Sequence, residues 1–562
     1  MLEDCTEEEI RILIKELEVG KSSDIPIMLI KAAKEELVPL LTNIYNNCMI
    51  EGIFPQVLKK SRVTPIFKKG NMELLENYRP VSTLPIFGKI FEKIIYKRFI
   101  SFLESKGILN DGQFGFRKNH STGHAIHHSV NIVKEALNRG HEVLGIFIDL
   151  SKAFDTIDHR ILLSKLEHYG VRGVPNSLLR SYLTGRTQYT EVLGEKSKLD
   201  DIMYGVPQGS VLGPLLFIIY INDIINCIGD ILNVKLVLYA DDTNVFIVGN
   251  NRKDLISTGN IVLHAINKFM KSNLLHINIG KCCYIHFCSP GSESDINSDS
   301  RDELTINGKV INEVNSTKFL GVTIDRHLTW QAHIETLHKK LKSATGILRR
   351  IRSNIPKECY KTLYHTLFES HLTYCITVFG NARSHLMNKL FVTQKHCLRI
   401  LFGNLEAYLE KFNTSCRTRP LESQRLDYKF YSREHTKPLF KDKDIMTVHN
   451  LYIYHICLET LKIIRNRSPN SLYSVITLST RNSGNLMIYT KDISNFTEQR
   501  LTVWNKCVNS IIKHIPIPFI KLSSFKFFIK RQILSMQCSH DPIEWYSSLN
   551  FGSVTLDCTN SI

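Results

Sequence analysis

The sequence predicts an α+β fold in which strands come first and a helical part follows. The apolar run at 143–148 is typical of a buried strand. Two further strands at 234–239 and 244–248 flank a short acidic turn at 240–243, which indicates a hairpin. From residue 331 onward apolar residues recur every three or four positions, which predicts a helix.

Ahead of these strands, the first 50 residues are predicted to be helical. Apolar residues repeat at helical spacing over 7–18 and 26–50, and each segment runs up to a glycine. We therefore interpret 1–50 as a helical extension. A strand is predicted at 63–67, before a basic turn, and another helix over 89–103.

The later part contains a second hairpin and a basic helix. Asn307-Gly308 is a dipeptide that suits a type I′ turn, so 304–311 is predicted to be a hairpin. The helix that begins at 331 has an apolar seam and cationic flanks, which suit either a nucleic-acid surface or a solvated helix face. The flanking cations are Lys339, Lys340, Lys342, Arg349, Arg350 and Arg352.

The chain is basic, with 71 Lys and Arg against 54 Asp and Glu, a formal net charge of +17. Such a surface attracts phosphate backbones, although solubility charge and a basic membrane binder are the alternatives. The 14 cysteines include no C-x-x-C pair, so we expect reduced thiols and an intracellular protein. No signal peptide is evident, and the longest apolar stretch, 214–221, is too short to cross a bilayer.

Three carboxylates stand out because of where the strands place them. Asp149 follows the apolar strand, and Asp241 with Asp242 occupies the hairpin turn. Crowded carboxylates repel one another, and Mg²⁺ prefers such oxygen ligands. The alternatives are an ordinary Asp-Asp turn and a helix cap at Asp149.

The residues around these carboxylates resemble, in order, the motifs of reverse transcriptases. The amino-acid sequences of these segments are most similar to those of non-LTR retrotransposons, of the LINE-type, jockey-like kind. The segments that carry the resemblance are 62–70, 77–82, 113–117, 146–155, 205–214, 239–242, 275–281 and 319–322.

The resemblance implies a right-hand polymerase, with fingers and palm at 51–325 and a helical thumb at 326–405. It leaves 406–562 as a mostly helical region of unknown role. The implied activity is RNA-directed DNA polymerisation from a primer 3′-hydroxyl. The implied partners are an RNA template, a DNA primer or target and deoxynucleoside triphosphates, and the implied cofactors are two Mg²⁺ ions, with Mn²⁺ as a substitute. No membrane partner is implied, and the oligomeric state is left open.

Roles for individual residues follow only from the resemblance. Asp149 and Asp241 would hold the metals, with Asp242 beside them. The nucleotide-binding residues would be Lys68, Arg79, Phe154, Gln208 and Lys281, and the primer grip Phe319, Leu320 and Gly321. Phe154 would exclude a 2′-hydroxyl, Gln208 would steady the template–nucleotide pair, and Lys281 would neutralise the leaving group. The alternatives are backbone-phosphate contact for Lys68 and Arg79 and core packing for Phe154.

Complete elements of this kind usually place an endonuclease ahead of the polymerase, and no such region precedes the motifs here. Target nicking is therefore not expected of this chain. Because no endonuclease region precedes the motifs, a second hypothesis stays open: the chain is a catalytically silent or decayed remnant that only binds RNA. Copying that starts on a DNA primer would need access to chromatin, so both nucleus and cytoplasm are open as locations.

Overall fold

The computed structural model describes residues 2–229, 231–289, 303–403 and 436–469, with short pieces at 477–479, 487–489, 526 and 529–530. Most of the predicted C-terminal region 406–562 lies outside these residues. None of the helices in the described ranges is long and apolar enough to cross a membrane.

The helices are numbered in chain order. They are α1 Glu7–Lys15, α2 Ile27–Ala32, α3 Lys34–Glu51, α4 Ile86–Ser105, α5 Thr122–Asn138, α6 His159–His168, α7 Val174–Leu183, α8 Leu212–Ile221, α9 Arg252–Ser272, α10 Gln331–Ile351, α11 Tyr360–Leu363, α12 Ser370–Thr373, α13 Ile376–Phe379, α14 Ser384–Phe402, α15 Lys437–Asp442 and α16 Val448–Asn466.

The strands are numbered in the same way. They are β1 Lys60–Phe67, β2 Tyr78–Thr83, β3 Glu142–Ile148, β4 Leu150–Ser151, β5 Arg186–Val192, β6 Glu195–Lys196, β7 Asp200–Ile202, β8 Val234–Tyr239, β9 Asp242–Gly249, β10 His276–Ile277, β11 Cys283–Phe287, β12 Thr305–Ile306, β13 Lys309–Val310, β14 Asn312–Glu313, β15 Ser316–Phe319, β16 Val322–Asp325, β17 Thr477–Ser479 and β18 Met487–Tyr489.

A five-stranded sheet in the order β14-β11-β3-β9-β8 forms the centre of the protein. Strand β3 pairs antiparallel with β9 on one side and with β11 on the other. Its side chains are buried on both faces: Val143 and Phe147 enter one hydrophobic core, while Leu144 and Ile146 enter the other. Burial on both faces explains why the sequence here is continuously apolar rather than alternating.

A second sheet has the strand order β2-β1-β5-β6, with β7 paired to β5. In it, β1 and β2 are antiparallel, and Ile66 is paired with Arg79. The turn between them begins with Lys68, whose backbone N–H donates to the carbonyl of Asn77 at 2.8 Å. This hairpin therefore carries Lys68 and Arg79 at neighbouring positions.

The N-terminal helices share a hydrophobic core with the central sheet. The predicted helix at 26–50 is two helices, because the chain breaks at Ala33, and Gly52 ends the second with a φ of +71°. The aromatic rings of Tyr45 and Phe91 stack at 4.7 Å, and Phe54 stacks on Phe91 at 5.3 Å. The segment 1–50 is thus packed against α4.

The predicted basic helix at 331 is confirmed as α10, and its apolar seam is buried as expected. The carboxylate of Asp325, at the end of β16, accepts hydrogen bonds of 2.8 Å from the backbone N–H groups of Thr329 and Trp330. Because Trp330 has a left-handed φ of 66°, these bonds stabilise an otherwise unfavourable entry into the helix. The Asn307-Gly308 turn is also confirmed, with φ values of 51° and 73°.

Phe91→Ala should destabilise the protein by about 3–5 kcal/mol, because the ring is fully buried between two other aromatic rings. Urea unfolding in a matched buffer measures the loss. Leu75→Ala is the control, since Leu75 is 88% exposed and its truncation should change stability by less than about 0.5 kcal/mol. Equal losses for the two variants would contradict the packing described here.

Candidate active site

The register of β3 with β9 brings the predicted carboxylates to one end of the central sheet. The last paired residues are Ile148 and Thr243. One step further, Asp149 and Asp242 continue the two strands at positions that face each other, and neighbouring strands lie about 5 Å apart. The hairpin turn is tighter than predicted: it comprises Ala240 and Asp241, and Asp242 is the first residue of β9.

The turn is held by a buried side chain that sequence reasoning did not assign a role. Gln113 is 1% exposed, and its Oε1 accepts hydrogen bonds from the backbone N–H groups of Ala240 at 3.1 Å and Gly115 at 2.8 Å. Ala240 adopts a left-handed φ of 55°, which is unfavourable for a residue other than glycine. A Cβ on Gly115 would lie 2.3 Å from the Ala240 nitrogen, so this close approach requires glycine.

The three carboxylates interact electrostatically. Burial raises the pKa of Asp242 to about 6, and the charges of Asp241 and Asp149 add to this increase. Burial and Asp149 also raise the pKa of Asp241, whereas Arg79 and Lys68 oppose the increase. The sheet end therefore carries crowded negative charge, and the cations Lys68 and Arg79 lie within electrostatic reach of it.

Asp149 forms an ion pair with a lysine. The Lys281 ammonium lies 3.1 Å from Asp149 Oδ2, and the two side chains are 63% and 36% exposed. Lys281 is placed there by the segment after β10, because the Asn278 backbone N–H donates to the Asp149 carbonyl at 2.8 Å. An ion pair this exposed contributes only about 0–1 kcal/mol, so it can open readily.

The donor set fits hard divalent cations, although the described residues contain no group of three or more His, Cys, Asp or Glu side chains arranged to hold a metal ion. Carboxylate oxygens are the ligands that Mg²⁺ prefers. The raised pKa of Asp242 reflects negative charge that burial and the two other acids leave poorly balanced. A cation between these residues would remove that cost.

Phe154 and Gln208 lie on the loops beside the carboxylates. The Phe154 ring packs at 4.7 Å on buried Phe217 and at 6.4 Å, edge-on, to Phe116, which is 42% exposed. Its ring is thus partly packed and partly open. The Gln208 amide donates to both carboxylate oxygens of Asp155, at 2.9 and 3.1 Å, which ties the 205–214 loop to the segment after Asp149.

A second buried residue without a predicted role holds the start of α8. Glu92 accepts hydrogen bonds from the backbone N–H groups of Val211 at 2.5 Å and Leu212 at 3.2 Å, and from the Tyr182 hydroxyl at 3.2 Å. Burial raises its pKa, while Arg186 opposes the increase. The three donors suit the carboxylate form, which is also stabilised at a helix N-terminus. The available signal was a single acid in the mostly apolar segment 86–95.

The residues of the predicted primer grip lie at the end of β15 and in the turn that follows it. Phe319 is buried, and its ring lies 6.0 Å from that of Phe147, so it anchors the hairpin rather than facing the cleft. Leu320 and Gly321 form the turn itself, with φ values of 45° and 89°. The cations predicted on the thumb are on α10 and just after it, where all but Arg352 are exposed.

Comparison with known proteins adds an independent finding. Residues 66–324 match the reverse transcriptase (RNA-dependent DNA polymerase) family. This range includes the three carboxylates and all the predicted nucleotide-binding residues. A reverse transcriptase domain implies use of divalent metal in general.

Two curated relatives come from Drosophila melanogaster. The RNA-directed DNA polymerase from mobile element jockey is 29% identical over 414 residues, which cover 71% of this chain and 44% of the relative. The probable RNA-directed DNA polymerase from transposon BS is 28% identical over 417 residues, 70% of this chain and 44% of the relative. The chain therefore spans less than half the length of these relatives.

Among solved structures, telomerase from Candida albicans is similar at a TM-score of 0.39 and 10% identity, covering 69% of each chain. By sequence, residues 66–324 are therefore similar to reverse transcriptases, and the chain as a whole is similar to the polymerases of jockey-like non-LTR retrotransposons.

Proposed function

We propose that this chain is an RNA-directed DNA polymerase that extends a primer 3′-hydroxyl on an RNA template. The observation that carries the proposal is the electrostatic coupling of Asp149, Asp241 and Asp242 at one end of the central sheet, within reach of Lys68 and Arg79. An acidic centre beside fingers cations suits a substrate that is a nucleotide triphosphate accompanied by divalent metal.

The three carboxylates are proposed as the metal ligands. Two Mg²⁺ ions, or Mn²⁺ in their place, would activate the primer hydroxyl and stabilise the leaving pyrophosphate during in-line phosphoryl transfer. Asp149 must first release the Lys281 ammonium, at little energetic cost for so exposed a pair. The released ammonium then remains near the site, where it can neutralise the leaving group.

The fingers hairpin is proposed to hold the triphosphate. Lys68 and Arg79 are both exposed, and both act on Asp241 electrostatically. The forked guanidinium of Arg79 suits phosphate oxygens, and the Lys68 ammonium adds a point charge. Gln208, held by Asp155, would steady the template–nucleotide pair from the opposite loop.

The RNA template and the DNA primer are proposed to lie against the cationic side of α10. Its exposed lysines and arginines are separated from the buried apolar seam, so they face away from the core. A duplex near A-form is recognised through shape, sugars and phosphates, which requires cations but no base contacts.

Asp241→Ala/Asp242→Ala should lower primer extension on an RNA template by roughly a thousandfold or more, because it removes charge that holds the metals. Incorporation of labelled deoxynucleotides with Mg²⁺ measures the effect. Asp200→Ala/Asp201→Ala is a matched control, since it removes an adjacent pair of exposed aspartates on β7. Equal incorporation by both variants would contradict the catalytic proposal. Binding of RNA by the wild type without extension would favour the remnant hypothesis.

The metal-free protein should gain stability from Asp242→Asn above pH 6. The pKa of Asp242 is raised from 3.8 to about 6 in the folded state, so the folded protein binds more protons than the unfolded chain between these values. Stability therefore falls as pH rises through this window, and the cost is complete above about 6. The variant removes a cost on the order of 3 kcal/mol, because each pKa unit corresponds to about 1.4 kcal/mol.

Urea unfolding in EDTA at pH 8 and at pH 4 tests this expectation. The advantage of Asp242→Asn over the wild type should be present at pH 8 and nearly absent at pH 4, whereas Asp201→Asn, at an exposed position, should show no such dependence. An advantage of the same size at both pH values would show that charge crowding is not its cause.

Phe154→Ala should reduce discrimination against ribonucleotides by roughly tenfold or more, because the open part of the ring would no longer exclude a 2′-hydroxyl. The ratio of kcat/KM for a deoxynucleotide and its ribonucleotide measures this. Phe87→Ala is the control, since Phe87 is a half-buried phenylalanine of the same core. If both variants lose stability and neither changes the ratio, Phe154 serves only in packing.

A further inference from the structure

Tyr374 lies at a break between two short helices of the thumb-like region. It follows α12, and the next residue, Cys375, adopts a left-handed φ of 54° before α13 begins. This break directs the Tyr374 side chain outward, where it remains 42% exposed. A large aromatic side chain is thus presented at the surface by an unfavourable backbone conformation.

The Tyr374 side chain contacts the turn of the predicted primer grip. Its hydroxyl donates a hydrogen bond of 2.6 Å to the Leu320 carbonyl. Its ring lies against Gly321, where an added Cβ would be 3.1 Å from Cε1 of the tyrosine. The Thr122 hydroxyl, at the start of α5, is 3.3 Å from the phenol oxygen. One side chain therefore connects the helical region, the hairpin turn and α5.

The hairpin needs such a contact at its turn. Among the described strands, β15 and β16 pair only with each other, and the core holds the hairpin through Phe319, Val322 and Ile324 rather than through its turn. Phe319 anchors the strand in the core, but the left-handed residues Leu320 and Gly321 project beyond it. The Tyr374 hydroxyl holds the carbonyl of the first of these two residues.

The same turn lies close to the catalytic hairpin. Phe319, which directly precedes the turn, packs at 6.0 Å on Phe147, two residues before Asp149. Burial raises the pKa of Tyr374, and Tyr239, which precedes the Ala240–Asp241 turn, adds to the increase. Tyr374 therefore lies near the end of the central sheet that carries the carboxylates. A displacement of the Leu320 turn would occur beside the site where the primer 3′-end must meet the incoming nucleotide.

We propose that Tyr374 is a positioning residue for the primer terminus, which acts by holding the Leu320–Gly321 turn against the helical region. The proposal rests on the proposed polymerase function. It predicts an effect on the primer–template, not on the triphosphate, because the triphosphate is assigned to Lys68 and Arg79 of the β1–β2 hairpin, which Tyr374 does not hold.

Tyr374→Phe is the test variant, since it removes the hydroxyl and keeps the ring. We expect KM for an RNA–DNA primer–template to rise roughly three- to tenfold, the effect of losing one hydrogen bond. KM for the deoxynucleotide should stay within about twofold of wild type. Tyr45→Phe is the matched control: its hydroxyl also donates to a backbone carbonyl, that of Phe87 at 2.8 Å, but within the N-terminal core. It should lower stability and leave both KM values unchanged.

A second measurement does not depend on catalysis. In an Asp241→Asn/Asp242→Asn background, the bound primer 3′-end is exposed to a 3′→5′ exonuclease, and its protection is compared with and without Tyr374→Phe. We expect weaker protection without the hydroxyl and unchanged protection for Tyr45→Phe.

The outcomes separate the two proposals. An unchanged primer–template KM together with unchanged protection would overturn the role of Tyr374, as would an equal rise of both KM values. If the wild type extends no primer but still protects its 3′-end in a manner that depends on Tyr374, the polymerase proposal fails and the positioning role stands.

Discussion

The pairing of β3 with β9 in a single register is the constraint on which the site depends. Asp149 faces Asp242 only because Ile148 pairs with Thr243. A slip of one residue would turn every side chain of β3 to the opposite face, and both faces are packed into hydrophobic cores. The cores thus fix the positions of carboxylates that they do not contact, because any other register would have to repack both of them.

Within the described residues, the carboxylates at this position have only weak, exposed partners. Asp149 forms an ion pair with the exposed Lys281. The exposed cations Arg79 and Lys68 lower the pKa of Asp241 against the effect of burial. Exposed pairs contribute little and exchange easily. Burial keeps the pKa of Asp242 high, so the free energy of the site improves when a divalent cation arrives. Weak resident ion pairs allow charged ligands to exchange, as the proposed polymerase cycle would require.

Sequence analysis was most successful for features that depend on interactions between residues close together in the chain. The apolar run of β3, the acidic hairpin and the seam of α10 were all predicted, because strand and helix periodicity are visible within ten to twenty residues. The break at Ala33 was missed, since the apolar pattern continues through it. The tight turn at Ala240 was also missed, because its left-handed φ depends on Gln113, which is 127 residues away. Such a hydrogen bond leaves no periodic signal.

Gln113, Glu92 and Tyr374 have a common physical role. Each uses a side-chain polar group to hold the backbone of a distant turn or helix start: Ala240, Val211 and Leu320, respectively. Two of these targets are left-handed residues other than glycine, whose conformation costs about 1–2 kcal/mol, so they persist only with such support. Because the support acts on the backbone, its loss moves all residues of a turn together. In the proposed polymerase, the geometry of the site would therefore depend on these supporting residues as well as on the side chains that would contact substrate.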